Sequence, residues 1–330
     1  MNNEKYIVLY SDKKPEDIIM IESMFANTQK INLGWIDLDF VNNMKIIEKL
    51  IKSNIKQVIF WGLEIGWDKL VENLKENYKD IIVKVVCNTN DSLLYYEYER
   101  NNFFRMLELS KKGLIDKIAF LRRGQYETYH SLEYNCCYLR ENYSLSRKAQ
   151  YNKKNNEKMQ IGIYPLNYTW DKNIFNQLCI PKFIDDSVLN YNCLDLRMED
   201  FLKTMNIEAN ADKLDEINEE NIIKSIQKND IIIATSFTEY VHPIFFMSME
   251  LGIPCLIGNN SDLFESDEKL RKYVVTTTED NPIVNAEKLK NIIKNKSKIM
   301  NLYTDWKKQY NEIYNISLNE FLENNKYEVS

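Results

Sequence analysis

Along the first 120 residues, short apolar runs alternate with stretches whose apolar positions recur at helical spacing. "KYIVLY" (5–10) has the length and continuity of a buried strand. "SDKKPEDIIMIESMF" follows as a helix, with Ser11 or Asp12 placed to cap it and Pro15 near its first turn. Further strands are expected at 34–40 ("GWIDLDF"), 57–62, 80–88 ("DIIVKVVCN") and 115–121 ("IDKIAFL"). Helices fill the intervals, the longest being "SLLYYEYERNNFFRMLELSKKG", which ends at Gly113. Strands alternating with helices predict an α/β fold with a largely parallel sheet.

Between residues 140 and 158 the pattern dissolves into "RENYSLSRKAQYNKKNNEK", rich in charge and poor in apolar residues, which marks a domain boundary. The alternation then restarts. Strands are expected at 159–166 ("MQIGIYPL"), at "KFID" (182–185), at 229–236 ("NDIIIATS"), in "IPCLIG" and in "KYVVTTT". A helix is expected over "WDKNIFNQLCI", a charged helical region over about 195–226, a buried helix over 241–251, and helix from Asn285 onward. The expected domains are 1–150, 151–310, and a closing helix over 311–330 that returns to the first domain through Leu318, Phe321 and Leu322. Two α/β halves with a cleft between them place ligands at the carboxyl ends of strands.

Composition narrows the classes. The length of 330 residues suits two cores. A net charge of −6 speaks against a general nucleic-acid binder. Six cysteines form no CxxC pair and sit mostly in apolar runs; with only two histidines, His130 and His242, no metal cluster is expected. No run approaches the ~18 apolar residues of a membrane span. No basic-then-apolar signal region opens the sequence, so a cytoplasmic protein is expected.

The least ordinary passage is "TSFTEYVHPIFFMSMELGIPCLIGNN" (235–260). It runs from a strand end into an apolar helix, with Thr238 as a candidate cap and Pro243 in the first turn. Amides exposed at such a helix start, with the positive end of its dipole, suit a diphosphate. Glu239 there is suited to accepting hydrogen bonds from sugar hydroxyls, or it merely complements the helix dipole.

This passage resembles the donor-binding segment of GT-B glycosyltransferases, the bacterial enzymes that use nucleotide sugars. "GIYPLNYTWDKNIFNQL" (162–178) is similar to the first strand-loop-helix of their donor domain, and "VVTTTEDNP" (274–282) to a later segment. A weaker similarity lies in "SKKGLIDKIAFLRRGQYETYH" (110–130). The resemblance implies two Rossmann-like domains facing a cleft, with the C-terminal helix packing back on the first. It implies Glu239 and Lys172 as the catalytic pair. Asn167, Thr169, Asn173, Ser236, Thr238, Tyr240, Val241, His242, Met247 and Ser248 become the donor-binding set, and no metal is implied. Lys172 at a helix start would neutralise the leaving diphosphate. One departure stands out: the second glutamate of the family motif is replaced by Met247, so the ribose would be held otherwise, for instance by Ser248. Glu250 lies too far along the helix to substitute.

Other candidates are weaker. Asp37 and Asp39 share one face of a strand and are better read as a solvent face than as a metal pair. "YYEYER" (95–100), Trp61 and Trp67 line an acceptor groove or pack a core. Lys111, Lys112, Arg122 and Arg123 form a basic patch suited to lipid head groups or to solvent. The expectation is a glycosyltransferase acting on a nucleotide-diphosphate sugar, without cofactor or metal. Its acceptor would be a glycan, glycoprotein or lipid-linked sugar, with peripheral membrane contact and homo-oligomers left open. The rival is a non-catalytic GT-B-like subunit that binds acceptor or stabilises a partner enzyme.

Overall fold

The computed structural model describes residues 6–34, 40–145, 157–212, 218–238, 243–259, 262–264 and 267–323. Asp37 and Asp39, with most of the strand expected at 34–40, lie outside the described residues. The chain divides into two compact units, Met1–Glu141 with Glu312–Ser330, and Asn142–Asn311.

In the first unit the elements run β1 (Tyr6–Tyr10), α1 (Pro15–Met24), β2 (Gln29–Asn32), α2 (Phe40–Lys52), β3 (Gln57–Trp61), α3 (Trp67–Asn77) and β4 (Ile82–Cys87). They continue as α4 (Glu97–Lys111), β5 (Lys117–Phe120), α5 (Arg123–Ser131) and β6 (Cys136–Tyr138). The strands form one parallel sheet in the order β2-β1-β3-β4-β5-β6. Every residue of β3 and β5 is buried, as befits strands covered on both faces. Trp67 packs in the core with Phe60, and Trp61 is buried beside Phe25, so neither tryptophan lines a groove.

Three features depart from the sequence pattern. Of the edge strands, β2 carries a single large apolar residue, Ile31, and β6 is only three residues long, so neither declares itself. The long helix expected from Ser92 is broken: a 3-10 turn, Asp91–Tyr95, precedes Tyr96, whose φ of −77° and ψ of 126° are extended, and α4 starts only at Glu97. The cap of α1 is Lys14, with Pro15 in the first turn, rather than Ser11 or Asp12.

The second unit holds β7 (Met159–Ile163), α6 (Ile174–Cys179), β8 (Ser187–Asn192), α7 (Leu196–Thr204), β9 (Ala209–Asp212), α8 (Glu219–Ile226) and β10 (Ile231–Ala234). After them come α9 (Pro243–Glu250), β11 (Cys255–Gly258), α10 (Glu268–Val274), β12 (Val275–Thr276), α11 (Pro282–Lys294) and α12 (Lys296–Leu322). The parallel sheet has the order β12-β11-β10-β7-β8-β9. Counted from β7, that is the 3-2-1-4-5-6 order of a dinucleotide-binding sheet read from its far edge, with the chain reversing direction across the sheet between β7 and β10.

"KFID" is part of a 3-10 turn instead of a strand, and the strand is the following "SVLNYN". Asn190 and Asn192 disguise it. Both are buried, with Asn190 Nδ2 donating to Gln160 Oε1 and Asn229 Oδ1, and Asn192 Nδ2 to the Pro165 carbonyl. Likewise β9, "ANAD", interrupts the region expected to be helical. In α9 every residue from Pro243 to Met249 is buried, and Phe245 and Phe246 pack against Trp306 of α12. Glu250, at the end of α9, is structural: it accepts from the Leu145 amide and lies 3.6 Å from Lys307.

The final stretch of α12 belongs to the first unit. Tyr314, Ser317 and Phe321 form its buried line, with Leu318 and Leu322 beside it half-buried. Two lysines reach out of the sheet to its end. Lys84 of β4, 1% exposed, donates to the carbonyls of Phe321, Leu322 and Glu323 at 2.7, 3.0 and 3.0 Å. Lys117 of β5 donates to Glu320 and Glu323. A helix ends with unpaired carbonyls and a partial negative charge, so two buried cations there satisfy both. We expect Lys84→Met to lower unfolding free energy by about 2–3 kcal/mol, because carbonyls left unpaired cost about 1–3 kcal/mol each when buried; urea unfolding measures it.

Asp17, in the first turn of α1, accepts a hydrogen bond from Asn88 Nδ2 at 2.8 Å, and burial pushes its carboxyl up to about 6. The folded state therefore holds this proton between pH ~4, where the unfolded carboxyl loses it, and pH ~6. Its contribution is full below the unfolded value and is lost as pH rises to 6. Asp17→Asn should accordingly gain stability relative to the unaltered protein across that window and level off above it, in denaturant titrations at stepped pH.

Candidate functional site

Four segments leave the carboxyl ends of β7, β10, β11 and β12 in the second unit, at the point where strand order reverses. Ligands of open α/β sheets bind at such a point. What fixes the segments leaving β7, β10 and β12 to one another is Asn173. It follows a 3-10 turn, Trp170–Lys172, and has a φ of 53°, a left-handed conformation that Asn and Gly adopt with least strain. Its side-chain amide donates to the Thr235 carbonyl at 2.9 Å and to the Glu279 carbonyl at 2.8 Å, and its Oδ1 accepts from Asn176 at 2.6 Å. Only asparagine supplies both the backbone conformation and the two donors.

Other bonds tighten the same knot. The Phe237 amide donates to the Asp171 carbonyl at 2.7 Å, and Gln177 links the Lys172 carbonyl to the Thr235 amide. Glu279 accepts from the Asn259 amide at 2.6 Å. Gly258 lies so close that a Cβ there would sit 2.7 Å from the Ser236 carbonyl.

Several expected site residues change role. Asn173 has both amide hydrogens and its oxygen committed, so it positions the segments instead of touching a ligand. Lys172 ends a 3-10 turn rather than starting a helix; it is 6% exposed and 3.9 Å from the Asp171 carboxylate. Met247 and Ser248 are fully buried, and Ser248 Oγ donates to the Ile253 carbonyl at 2.7 Å, so neither reaches a ribose. Asn167 and Thr169 remain half-buried on the β7 side, joined by a 2.8 Å bond from Thr169 Oγ1 to Asn167 Oδ1. Ser236, which is buried, and Thr238 lie on the β10 side. Glu239, Tyr240, Val241 and His242 lie outside the described residues. His130 is exposed on α5 and stacks on Tyr126.

Residues that the sequence reading passed over also belong here. Asp171 Oδ1 and Thr235 Oγ1 are buried without hydrogen-bond partners among the described residues. Trp170 and Phe237, 51% and 38% exposed, stand with ring centroids 6.4 Å apart and planes 30° from parallel. "TWDKN" and "SFT" carried these residues in plain view, but an exposed aromatic has no periodic signature. Among the described residues no group of three or more His, Cys, Asp or Glu side chains is placed to hold a metal ion. Nor is any helix among them long and apolar enough to cross a membrane.

No family model matches the chain, and no curated protein matches it. Solved structures do. HepE from Anabaena, in complex with UDP and glucose, aligns over 98% of this chain and 100% of its own with a TM-score of 0.67 at 8% identity. Sucrose-phosphate synthase from Thermosynechococcus elongatus covers 94% of this chain and 95% of its own, with a TM-score of 0.62 at 12% identity. A Listeria monocytogenes protein described as a UDP-N-acetylglucosamine 2-epimerase covers 90% and 91%, with a TM-score of 0.55 at 12% identity. The fold is the two-domain GT-B fold.

The dual requirement at Asn173 makes a graded prediction. Asn173→Gly keeps the backbone and loses the two donors, at a cost of about 1–3 kcal/mol. Asn173→Ala should cost roughly 1 kcal/mol more, for the left-handed strain; thermal and urea unfolding of the two variants give the comparison.

Proposed function

We propose that this protein is a glycosyltransferase that moves a sugar from a nucleoside-diphosphate donor to a glycan, glycoprotein or lipid-linked acceptor. The single observation that carries the reading is the knot of carboxyl-end segments at the β7–β10 reversal, built on a GT-B fold. HepE from Anabaena, which shares this fold, was solved in complex with UDP and glucose. In this reading the backbone N–H groups of 238–242 take the diphosphate. Glu239 accepts hydrogen bonds from the donor sugar, and the Lys172 ammonium, shared with Asp171, balances charge that gathers on the leaving diphosphate. Trp170 and Phe237, exposed beside Lys172 and Asp171, offer the sugar or the base of the donor an aromatic face. No step of this scheme calls on a metal.

Met247 favours a second reading. With an apolar, fully buried residue where the family places a carboxylate, the protein would be a non-catalytic subunit that binds acceptor or stabilises a partner glycosyltransferase. The two readings separate on one set of measurements. A transferase should slowly hydrolyse at least one of a panel of nucleotide sugars, and the matching nucleoside diphosphate should stabilise it by about 2.7 kcal/mol at a hundredfold excess over Kd. Glu239→Ala should reduce that hydrolysis roughly 100-fold or more, the scale of losing a group that stabilises the transition state. Neither hydrolysis nor stabilisation across the panel identifies the non-catalytic subunit; hydrolysis undiminished in Glu239→Ala removes that residue from the site.

A further inference from the structure

A cavity of about 580 Å3 opens in the first unit at the amino ends of β4, β5 and β6. It lies at the opposite end of the sheet from the strand ends where ligands of open α/β folds bind. Ile82 and Lys117, each the first residue of its strand, and Asn135, just before β6, form the sheet side. Lys111 closes it from the last turn of α4, and Leu132 and Tyr134 from the turn after α5. Glu323, past the end of α12, completes the lining. The volume falls within the range of small-molecule sites, about 300–1,000 Å3.

The charges around the cavity do not cancel. The Asp116 carboxylate is already committed, accepting from Lys75 Nζ and from the Val83 amide. Lys84 spends three donors on the carbonyls that end α12, which meets the partial charge of about half a unit found at a helix terminus. The charge of Lys117 is left over. It donates to the carbonyls of Glu320 and Glu323 at 2.9 and 3.3 Å, and neither is a counter-ion. An ammonium has three N–H donors, so one of them has no partner among the described residues. Lys117 is 5% exposed, and a charge so buried is costly until an opposite one meets it. Lys111 is exposed at the rim, its Nζ 5.3 Å from the centre of the Tyr134 ring, with no carboxylate partner among the described residues. Glu133 and Glu323 are exposed, where solvent and salt screen them. The rest of the lining is largely apolar, with Ile82 and Ile115 on the sheet side and Leu132, 60% exposed, beside Tyr134.

We propose that this cavity binds a small organic anion, a phosphate ester or carboxylate carried on a flat apolar body. The anionic group accepts the third N–H of Lys117 and lies within the field of Lys111, a charge-assisted bond of the stronger class. The body packs against Leu132 and Tyr134. A neutral ligand leaves the Lys117 charge unmet, and a cationic one adds to it. The site is separate from the donor site proposed in the second unit, and it does not depend on the transfer reading. Because Lys117 also holds the end of α12, an anion on it ties the ligand to that helix terminus.

Isothermal titration calorimetry of the full-length protein with phenyl phosphate and with benzoate, each with and without excess UDP, tests the proposal. At least one of the two should bind more tightly than inorganic phosphate and benzyl alcohol, and the better of them tells phosphate from carboxylate. Its affinity should be the same with UDP present. Lys111→Glu and Leu132→Asp, both at exposed positions, should weaken binding roughly tenfold or more, the scale of one charge-assisted hydrogen bond. Lys117→Met should abolish it; should that variant fail to fold, the two rim variants carry the test alone. No binding of either probe, equal binding of benzyl alcohol, displacement by UDP, or affinities unchanged in both rim variants would overturn the proposal.

Discussion

The second unit's site depends on one side chain standing between three strand ends. Asn173 carries a positive φ that most residues resist, and from that position it donates to the segments leaving β10 and β12. The segment leaving β7 is its own backbone. Remove the amide and three loops lose their common anchor while the sheet beneath them keeps its hydrogen bonds. Loops set by a rigid scaffold are where binding groups are found, and here the scaffold reaches into the loops themselves. Gln177 and Glu279 repeat the device on either side, each holding a backbone group of a neighbouring segment.

Much of the architecture was legible from hydrophobic pattern. The central strands β3, β4, β5, β7, β10 and β11 lie in short, largely apolar runs, and α9 is apolar on most faces, the pattern of covered elements. What escaped were elements whose stabilisation comes from partners far away in sequence. The strand β8 hides behind Asn190 and Asn192, because a buried asparagine whose amide donates to Gln160 and Asn229, or to Pro165, looks like a surface residue in isolation. The edge strands β2 and β9 hide for want of large apolar residues, and β6 by being only three residues long. The site was half legible. Its strand ends were placed by the pattern and by the resemblance, but the division between ligand-facing and positioning residues was not. Burial decides that division: it moved Asn173, Met247 and Ser248 to the inside and left Trp170 and Phe237 exposed.

The two units differ in what surrounds the point where strand order reverses. In the second, Lys172 and Asp171 lie beside two exposed aromatic rings, Trp170 and Phe237. In the first, the ion pairs Lys14–Glu99 and Lys13–Glu64 stand around a water-sized space.

Amide hydrogen exchange of the full chain with and without UDP tests the central claim most directly. The account predicts slowed exchange in peptides covering 165–173, 235–243 and 277–281, with the first unit's peptides around 62–64 and 88–102 unchanged. Exchange unaltered in all three segments, or slowed only in the first unit, would contradict it.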